Sequence, residues 1–478
     1  MNAADNPNLK RIAETCHLDR NELDAFLSHL AGLSPDRAAR INPFEFASEA
    51  KIGSAKTIDM FIHGAKAGVF DLEWGMVCSL CGAIVHSVGN INQVAEDTVH
   101  CCLCNRDVES ILDDSVEVSF ACTDPDEPFD LHADFDVYKR YFTSASYPHR
   151  TQWAAYHQRN TVSDTKIDPG QLGALQFDAE PGQPYRIICL DTHSGCRLDT
   201  ADATQQNNLD TTASLTLTED GFSSEQIAVA SGATRLDVKN ETDQKVWIRV
   251  LRMRPDEVFE ILGDGPPKFG PRLTGKHLLN NQAFRDCFGL DELAPDMKLK
   301  LRSLTLLFTD LKGSTALYDR EGDMAAYRLV QDHFKALKSI VRNNSGAVIK
   351  TMGDAVMAAF PSAEAGAEAA VSMMEAMAEV TKDRNRDDVG LKIGLHAGPA
   401  LAINSDNTID YFGQTVNVAA RVQGLADSGD ICLTVALNND EAIPEILSRA
   451  GYEMRSEMAK LKGVSDDEMI FRYSQAVA

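Results

Sequence analysis

The sequence predicts a multidomain α+β protein. Its 478 residues exceed what one hydrophobic core usually holds, so roughly two to four domains are expected. Helix-like periodicity comes first, short alternating strands follow, and strand-like and helix-like runs alternate toward the end. We expect a helical segment, a cysteine-rich segment, a β-sandwich, a connector and an α+β domain, over residues 1–72, 73–112, 113–254, 255–300 and 301–478.

The composition is that of a soluble globular protein, with 44% hydrophobic and 24% charged residues. Acidic residues outnumber basic ones by 71 to 46, and the formal charge of −25 disfavours nonspecific binding to nucleic acid or anionic lipid. We find no apolar run of about 18 residues that would span a membrane, and the first residues lack the apolar core of a signal peptide. The expected location is the cytoplasm, without a membrane partner.

Residues 1–72 carry helical signals. Leucine and phenylalanine recur at helical spacing between residues 18 and 33. Asn42 and Pro43 have the residue types of a helix cap and a first helical position, and a further helix is expected over residues 54–68. A short alternating strand then covers residues 70–74. This order of helix, turn, helix and strand resembles a winged-helix fold.

The next segment contains paired cysteines. Two Cys-x-x-Cys pairs are separated by nineteen residues: Cys78 with Cys81, and Cys101 with Cys104. Four thiolates at this spacing suit tetrahedral Zn²⁺, so the segment is predicted to be a zinc ribbon with a structural ion. His100 and Cys102 lie close enough to leave the register of the second pair open. Reduced cysteines without metal are hard to reconcile with the paired spacing, and a redox switch is a minor alternative.

Residues 113–254 are predicted to form an antiparallel β-sandwich. Short alternating runs recur there, separated by turn signals such as Glu180-Pro-Gly and Asp220-Gly. We expect this sandwich to be regulatory. The connector that follows is rich in glycine and proline at first, and a helix is expected from His277 to Phe288.

Two aspartates near the C-terminal strands suggest a site for divalent cations. Asp310 directly follows a buried strand, and Asp354 lies in a Gly-Asp turn between two strand-like runs. If those strands are neighbours, both carboxylates emerge at the same end of the sheet. Carboxylate pairs favour Mg²⁺ or Mn²⁺, and two such ions can activate an attacking oxygen and stabilise charge on phosphorus. Taken alone, an aspartate at a strand end is more often a cap or turn residue than a metal ligand.

Further residues suit the parts of a nucleotide. Free backbone amides in the string Lys312-Gly-Ser-Thr could bind a phosphate at a helix start. Asn417 and Arg421 are four residues apart, hence on one helical face, and offer an amide for a sugar and a donor fork for phosphate. Lys350 as donor and Asp410 as acceptor complement N1 and the 6-amino group of adenine, whereas guanine is a mismatch.

Together these strings resemble the catalytic domain of the class III nucleotidyl cyclases, close to the adenylate cyclases, over residues from about 301 to 475. The resemblance implies a ferredoxin-like core and a head-to-tail homodimer with active sites at the interface. It also implies that ATP is converted to 3′,5′-cyclic AMP and pyrophosphate with two Mg²⁺ or Mn²⁺ ions per site.

The resemblance further implies a role for each matching residue. The metal ions are assigned to Asp310, Leu311 and Asp354, and adenine selection to Lys350 and Asp410. Asn417 orients the ribose and Arg421 stabilises the transition state. The substrate-binding residues also include Gly313, Ser314, Thr315, Lys392 and Lys462. Lys392 stands where many members have arginine, so it keeps the charge but lacks the bidentate fork.

More than one function is compatible with the sequence. The region before the cyclase-like domain resembles an uncharacterised region found ahead of some bacterial cyclase domains, which assigns it no function. It could bind DNA, with the cyclase-like domain as a nucleotide sensor, although the third helix contains only Lys56 and Lys66 as basic residues. Guanylate cyclase activity is the nearest enzymatic alternative, and Lys350 and Asp410 disfavour it. A degenerate domain that only dimerises or senses nucleotide is disfavoured because the expected site residues, except for Lys392, are all present.

Overall fold

The computed structural model describes residues 6–91, 94, 98–113, 115–123, 129–201, 209–263, 265, 267–288, 298–313, 323–383, 390–405, 408–463 and 467–475. The chain divides into two compact units. The first comprises Met1–Thr57, Gly68–Ser110 and Asp114–Leu273, and the second Ile58–Ala67, Ile111–Asp113 and Thr274–Ala478. Within the described residues, every helix is too short or too polar to cross a membrane.

The chain begins with the helices α1 (Pro7–Thr15), α2 (Arg20–Ala31), α3 (Pro35–Ala38), α4 (Pro43–Ala50) and α5 (Ser54–Lys66). Asp19 and Glu22 form a reciprocal capping box at the start of α2. The predicted cap at Asn42 is confirmed, because its side chain accepts the Phe44 N–H at 2.9 Å and Pro43 is the first helical residue. From Ile58 onward, α5 belongs to the second unit. The winged-helix arrangement stays a prediction.

Two small sheets follow in the first unit. Strands β1 (Phe70–Val77), β2 (Ile84–Val88) and β5 (Val116–Cys122) pair in the order β2-β1-β5, and β3 (Thr98–Cys101) forms a hairpin with β4 (Arg106–Glu109). The predicted strand at 70–74 is therefore part of a longer strand. Helices α6 (Phe135–Tyr141) and α7 (Arg150–Asn160) lead into the sandwich.

The sandwich strands are β6 (Thr161–Ile167), β7 (Leu172–Ala179), β8 (Tyr185–Cys189), β9 (Ser194–Thr200), β10 (Thr212–Thr218), β11 (Gly221–Phe222), β12 (Gln226–Val229), β13 (Gly232–Asn240) and β14 (Val246–Arg252). They form two sheets, β11-β10-β13-β7 and β12-β9-β8-β14-β6, around one apolar core. The prediction of a purely antiparallel sandwich was wrong. The pairs β10–β13 and β9–β12 are parallel, because the chain crosses to the other sheet at β12 before it returns as β13.

Helix α8 (Pro255–Leu262) precedes the end of the first unit at Leu273, and α9 (Gly275–Leu279) and α10 (Gln282–Cys287) open the C-terminal part of the second. The sequence predicted one helix from His277 to Phe288. The structure has two, because the side chain of Asn281 accepts the Phe284 N–H and starts a new helix there.

The C-terminal domain begins with β15 (Lys298–Lys312), α11 (Asp323–Asn343), β16 (Ala347–Met352), β17 (Ala355–Phe360), α12 (Ala363–Asp383) and β18 (Gly390–Ser405). This is a βαββαβ order, and the strands lie side by side as β16-β17-β15-β18, the ferredoxin-like arrangement. The chain then adds β19 (Thr408–Phe412), α13 (Gln414–Leu425), β20 (Ile431–Thr434), α14 (Val435–Asn438), α15 (Ala442–Arg449), β21 (Tyr452–Lys460) and β22 (Asp467–Gln475).

Helices cover both faces of this sheet. Helices α11, α12 and α15 bury their apolar side chains against one face in a large core. Helix α13 packs on the other face through Val418 and Val422, with Cys432 and Ile470 of the sheet beneath them. Residue 394 of β18 has to be glycine there, since a β-carbon would lie 2.1 Å from the Gln423 backbone nitrogen. The helix that carries Asn417 and Arg421 is thus held in close contact with the sheet.

Candidate functional site

The structure brings Asp310 and Asp354 to the same end of neighbouring strands. Phe308 of β15 lies opposite Met357 of β17, and the hydroxyl of Thr309 accepts the Val356 N–H at 3.1 Å. The next residue of β15 is Asp310, and Asp354 lies in the turn that enters β17. Gly353 in that turn has φ of +65°, which glycine adopts without strain. Both carboxylates are partly exposed, so their oxygens remain available to a cation.

Lys392 lies directly across the ladder from Asp310. The two residues are partners in the β15–β18 register, and Lys392 Nζ is 3.8 Å from Asp310 Oδ2. Leu311 is buried, and Gly313 ends the strand with φ of +88°. Ser314 and Thr315 lie outside the described residues. The lysine therefore places a positive charge beside the predicted metal ligand.

Lys350 and Asp410 come together from strands sixty residues apart. Lys350 Nζ donates to Asp410 Oδ2 at 2.6 Å, and the other carboxylate oxygen accepts the Tyr411 N–H at 2.8 Å. The lysine side chain keeps 41% of its exposure and the aspartate 15%. A donor and an acceptor thus stand side by side and face solvent, as the reading of a base edge requires.

Helix α13 presents the remaining predicted residues. Asn417 is exposed and Arg421 half-exposed, one turn apart on this helix. Arg421 lies close to the turn that carries Lys462, because a β-carbon on Gly463 would be 3.9 Å from Arg421 Nη2. Lys462 itself is exposed. The Arg421 guanidinium therefore lies near the backbone of the residue that follows Lys462.

The sequence reasoning missed several polar groups near these residues. Burial lowers the pKa of His396 to about 4, and its Nδ1 lies 2.7 Å from the hydroxyl of Thr434. Burial also lowers the pKa of His333 to about 4, although the charge of Asp354 opposes the shift. Side chains of the connector contact residues beside Lys350 and Asp410. These connector contacts were not predicted, because polar residues in a helical pattern are expected to lie on the solvent-exposed face of the helix.

A second candidate site lies in the first unit, at the tips of two hairpins. The sulfur atoms of Cys78, Cys81, Cys101 and Cys104 all lie within 4.8 Å of one another. Individual separations are 4.0 Å for Cys78–Cys104 and 3.6 Å for Cys81–Cys101. Thiolates around tetrahedral Zn²⁺ at about 2.3 Å would be about 3.8 Å apart, so the cluster fits the ion.

The backbone of each hairpin tip curls around its cysteines. Gly82 N–H donates to the Cys78 carbonyl at 2.9 Å, and Asn105 N–H to the Cys101 carbonyl at 2.8 Å. Thiols of Cys104, Cys78 and Cys81 that donate to Cys101 lower the pKa of its thiol. A thiol that ionises readily among three others suits a metal ligand.

The structure resolves the register that the sequence left open. Cys102 points away from the cluster and is buried with Tyr138, Leu190 and Trp247. His100 is exposed, and its Nδ1 lies 3.0 Å from Asp107. Neither belongs to the group of four sulfurs.

Two protein families match the chain. The first, described as a family of unknown function (DUF5939), matches residues 17–286, more than half of the chain. The chain belongs to this family. The second, described as the adenylate and guanylate cyclase catalytic domain, matches residues 298–470. The DUF5939 chain therefore ends in a class III cyclase catalytic domain, and the resemblance noted in the sequence is confirmed.

Several adenylate cyclases are similar to part of the chain, and the chain spans 36% or less of the length of the three described here. Adenylate cyclase 2 of Rhizobium meliloti is 33% identical over 130 residues, which is 25% of this chain and 36% of that protein. The adenylate cyclase of Anabaena cylindrica is 26% identical over 187 residues, 36% of each chain. The putative adenylate cyclase 3 of Rhizobium meliloti is 31% identical over 138 residues, 28% of this chain, which spans only 23% of that relative's length.

Among solved structures, the adenylyl cyclase CyaB from P. aeruginosa is similar, at 18% sequence identity and a TM-score of 0.33. The match covers 38% of this chain and 97% of that one.

Proposed function

We propose that this DUF5939 chain is an adenylate cyclase that converts ATP to 3′,5′-cyclic AMP and pyrophosphate. The observation that carries the proposal is the Lys350–Asp410 pair, in which a donor and an acceptor from distant strands stand 2.6 Å apart in a cyclase catalytic domain. Lys350 donates to N1 of adenine and Asp410 accepts from its 6-amino group. Guanine presents a donor at N1 and an acceptor at O6, which leaves both side chains mismatched.

The residues at the adjoining ends of β15 and β17 are suited to bind the cations. Asp310 and Asp354 offer partly exposed carboxylate oxygens, the ligand type that Mg²⁺ and Mn²⁺ prefer, and Leu311 completes the predicted set. When bound, the two ions supply positive charge at the α-phosphate and lower the pKa of the ribose 3′-hydroxyl. Lys392 and Lys462 neutralise phosphate oxygens, and Gly313, Ser314 and Thr315 are proposed, from the sequence, to bind them as well.

Residues of α13 act on the reacting part of the nucleotide. Asn417 holds the ribose so that its 3′-oxygen attacks the α-phosphate in line with the departing pyrophosphate. Arg421 stabilises the charge on the pentavalent phosphorus. We expect these residues to meet the aspartates of a second chain, so that a homodimer forms two equivalent sites. The close packing of α13 at Gly394 supports this role, because it fixes the position of the helix backbone that carries both residues.

The cysteine cluster is proposed to hold a structural zinc ion. Three of its four thiols are fully or almost fully buried, which suits a closed four-ligand site rather than a catalytic one. The hairpins β1–β2 and β3–β4 are short, and an ion at their tips would join them beside the apolar cluster that contains Tyr147, Trp153 and Tyr156.

Mass spectrometry of the products tests the proposed reaction. Purified chain is incubated with ATP or GTP, first with Mg²⁺ and then with Mn²⁺. Cyclic AMP is expected, and Asp354→Ala should reduce its formation by about 10²-fold or more because a metal ligand is lost. The matched control is Glu379→Ala, which removes an exposed carboxylate from α12 of the same domain and should leave the rate unchanged.

Other outcomes contradict the proposal in different ways. Preferential formation of cyclic GMP would make the chain a guanylate cyclase. The absence of any cyclic nucleotide with either metal would refute the cyclase reaction itself.

A further inference from the structure

The connector helices contact both strands that carry the Lys350–Asp410 pair. Three connector side chains make these contacts: Asn280, Gln282 and Arg285. Their partners are not the pair itself but residues close to it in the chain. All of them lie in the second unit. The connector thus touches the base-reading strands beside the two residues that would read the base.

Gln282 holds the strand just before Lys350. Its side-chain oxygen accepts the Val348 N–H at 2.9 Å, while its amide nitrogen donates to Asp286 at 2.8 Å, which fixes the orientation of the amide. The register of β16 against β17 shifts between Val348 and Lys350, so this strand bulges at residue 349. A bulge re-aims the side chain that follows it. Gln282 therefore stabilises the feature that sets the direction of Lys350.

Arg285 holds the strand just before Asp410. Its guanidinium donates to the carbonyls of Leu279, at 3.2 Å, and of Ile409. Strand β19 pairs with β18 along one side. The arginine satisfies a backbone acceptor of this edge strand, which would otherwise bond only to water. Burial lowers the pKa of Arg285, whereas the charges of Tyr411 and Asp410 raise it, so the guanidinium lies close to the acceptor of the pair.

Asn280 holds the residue just after Asp410. The Tyr411 hydroxyl donates to its side-chain oxygen at 2.9 Å, and its amide donates to the Lys276 carbonyl at 2.8 Å. Both Asn280 and Tyr411 are buried. A buried polar pair of this kind is costly to break, because each group loses its partner away from water. Asp410 is thus flanked on both sides by connector contacts.

Helix α5 holds the connector in turn. Asp59 accepts from Asn281 at 3.2 Å and from Arg342 of α11 at 2.8 Å. His63 Nδ1 lies 3.2 Å from the sulfur of Cys287. Both α5 and the connector up to residue 286 fall within the DUF5939 match. The base-reading strands are therefore contacted by residues of the family region as well as by the cyclase domain.

We propose that Asn280, Gln282 and Arg285 are positioning residues that hold Lys350 and Asp410 at the spacing adenine requires. Through them the DUF5939 region sets the preference of the adjoining cyclase domain for ATP over GTP. This inference rests on the proposed role of Lys350 and Asp410 in base selection. It predicts that loss of a connector contact changes base preference more than overall stability, since a misplacement of about 1 Å can cost about 10²-fold in a positioned interaction.

The test measures binding without catalysis. Isothermal titration calorimetry compares 3′-deoxyATP with 3′-deoxyGTP, which lack the attacking hydroxyl, in the presence of Mn²⁺. The full-length variants are Gln282→Met and Arg285→Met, each of which removes one side chain that contacts a base-reading strand, together with its bond inside the connector, and Arg285→Lys, which retains a positively charged donor. Lys276→Met is the matched control, because the side chain of that lysine contacts Asp113 and the Ser303 carbonyl instead. Tyr411→Phe removes only a hydroxyl, should a larger change prevent folding.

The wild-type chain is expected to favour 3′-deoxyATP. Gln282→Met and Arg285→Met should reduce this preference at least about tenfold, and Tyr411→Phe by a smaller factor. Arg285→Lys should recover most of it and Lys276→Met should retain it. An unchanged ratio in both methionine variants would overturn the inference, as would an equal loss of affinity for both analogues or a wild-type chain without base preference. A wild-type chain that favours 3′-deoxyATP yet forms no cyclic nucleotide from ATP would refute the proposed reaction and leave this inference intact.

Discussion

The two candidate metal sites of this chain differ in how they are built. Three of the four cysteines are buried, and all four come from the tips of two short hairpins. Asp310 and Asp354 are partly exposed and come from strands that the long helix α11 separates in the chain. A structural metal ion is typically enclosed by four protein ligands, whereas a catalytic ion keeps a position open for water or substrate. The comparison indicates that burial of the ligands distinguishes a site that holds the fold from one that acts on a substrate.

Removal of one thiol should give the largest effect. Cys81→Ser is expected to abolish zinc binding and to lower the midpoint of thermal unfolding of the first unit by at least about 10 °C, because structural zinc contributes several kcal/mol of folding free energy. Zinc content by elemental mass spectrometry and calorimetry measure the two effects. Cys122→Ser, at a half-buried thiol outside the cluster, is the control. A wild-type chain that contains no zinc and unfolds at the same midpoint as Cys81→Ser would contradict a structural ion at the cysteine cluster.

Mixing of inactive chains should reveal whether the open site is shared. Asp310→Ala and Arg421→Ala are each expected to lose about 10²-fold or more of the cyclase rate. An equimolar mixture should recover about one quarter of the wild-type rate, because about half of the dimers are mixed and each has one intact site. Cyclic AMP formation is the readout.

A control mixture tests the assignment of sides. Asp310→Ala mixed with Asp354→Ala should stay inactive, since both residues belong to the same half of a shared site. Recovery of activity in this control, or no recovery in the first mixture, would contradict the shared site. The cyclase site would then be formed within one chain, as the cysteine cluster is.

The smallest effect concerns pH and the sheet beneath α13. The folded protein keeps the His396 pKa near 4, whereas the unfolded chain has its ordinary value of 6.5. Below pH 6.5 the unfolded chain therefore binds a proton first, and the free energy of unfolding falls by about 2 kcal/mol between pH 7 and pH 5. Urea titrations of the wild type and His396→Gln at both pH values measure this. His396→Gln should lose this part of the pH dependence of the free energy of unfolding. The same pH dependence in both proteins would refute the prediction.

The sequence predicted the cysteine cluster better than the sandwich that follows it. Each Cys-x-x-Cys pair needs only a hairpin tip, so local spacing is sufficient for its geometry. Parallel pairing of β10 with β13 depends on where the chain crosses between sheets, and alternation of side chains contains no information about that. The break at Asn281 was missed because an asparagine inside a helical pattern looks like a surface position.

The base-reading pair was predicted through chemical complementarity rather than periodicity. Lys350 and Asp410 were paired because together they match a base, and the 2.6 Å contact agrees with that pairing. The contacts of Asn280, Gln282 and Arg285 were not predictable in this way. Their partners are a tyrosine hydroxyl, a backbone amide and a backbone carbonyl, which any segment could offer.

Gly394 has a consequence for motion during turnover. Because residue 394 has no side chain, α13 lies close against β18, where a β-carbon would be 2.1 Å from the Gln423 backbone nitrogen, and the apolar contacts of Val418 and Val422 resist its departure. We therefore expect the helix and the sheet to move together. If the domain closes around a nucleotide, Asn417 and Arg421 should therefore shift together with the strands beneath them. A movement of these two residues would then involve the central sheet of the domain.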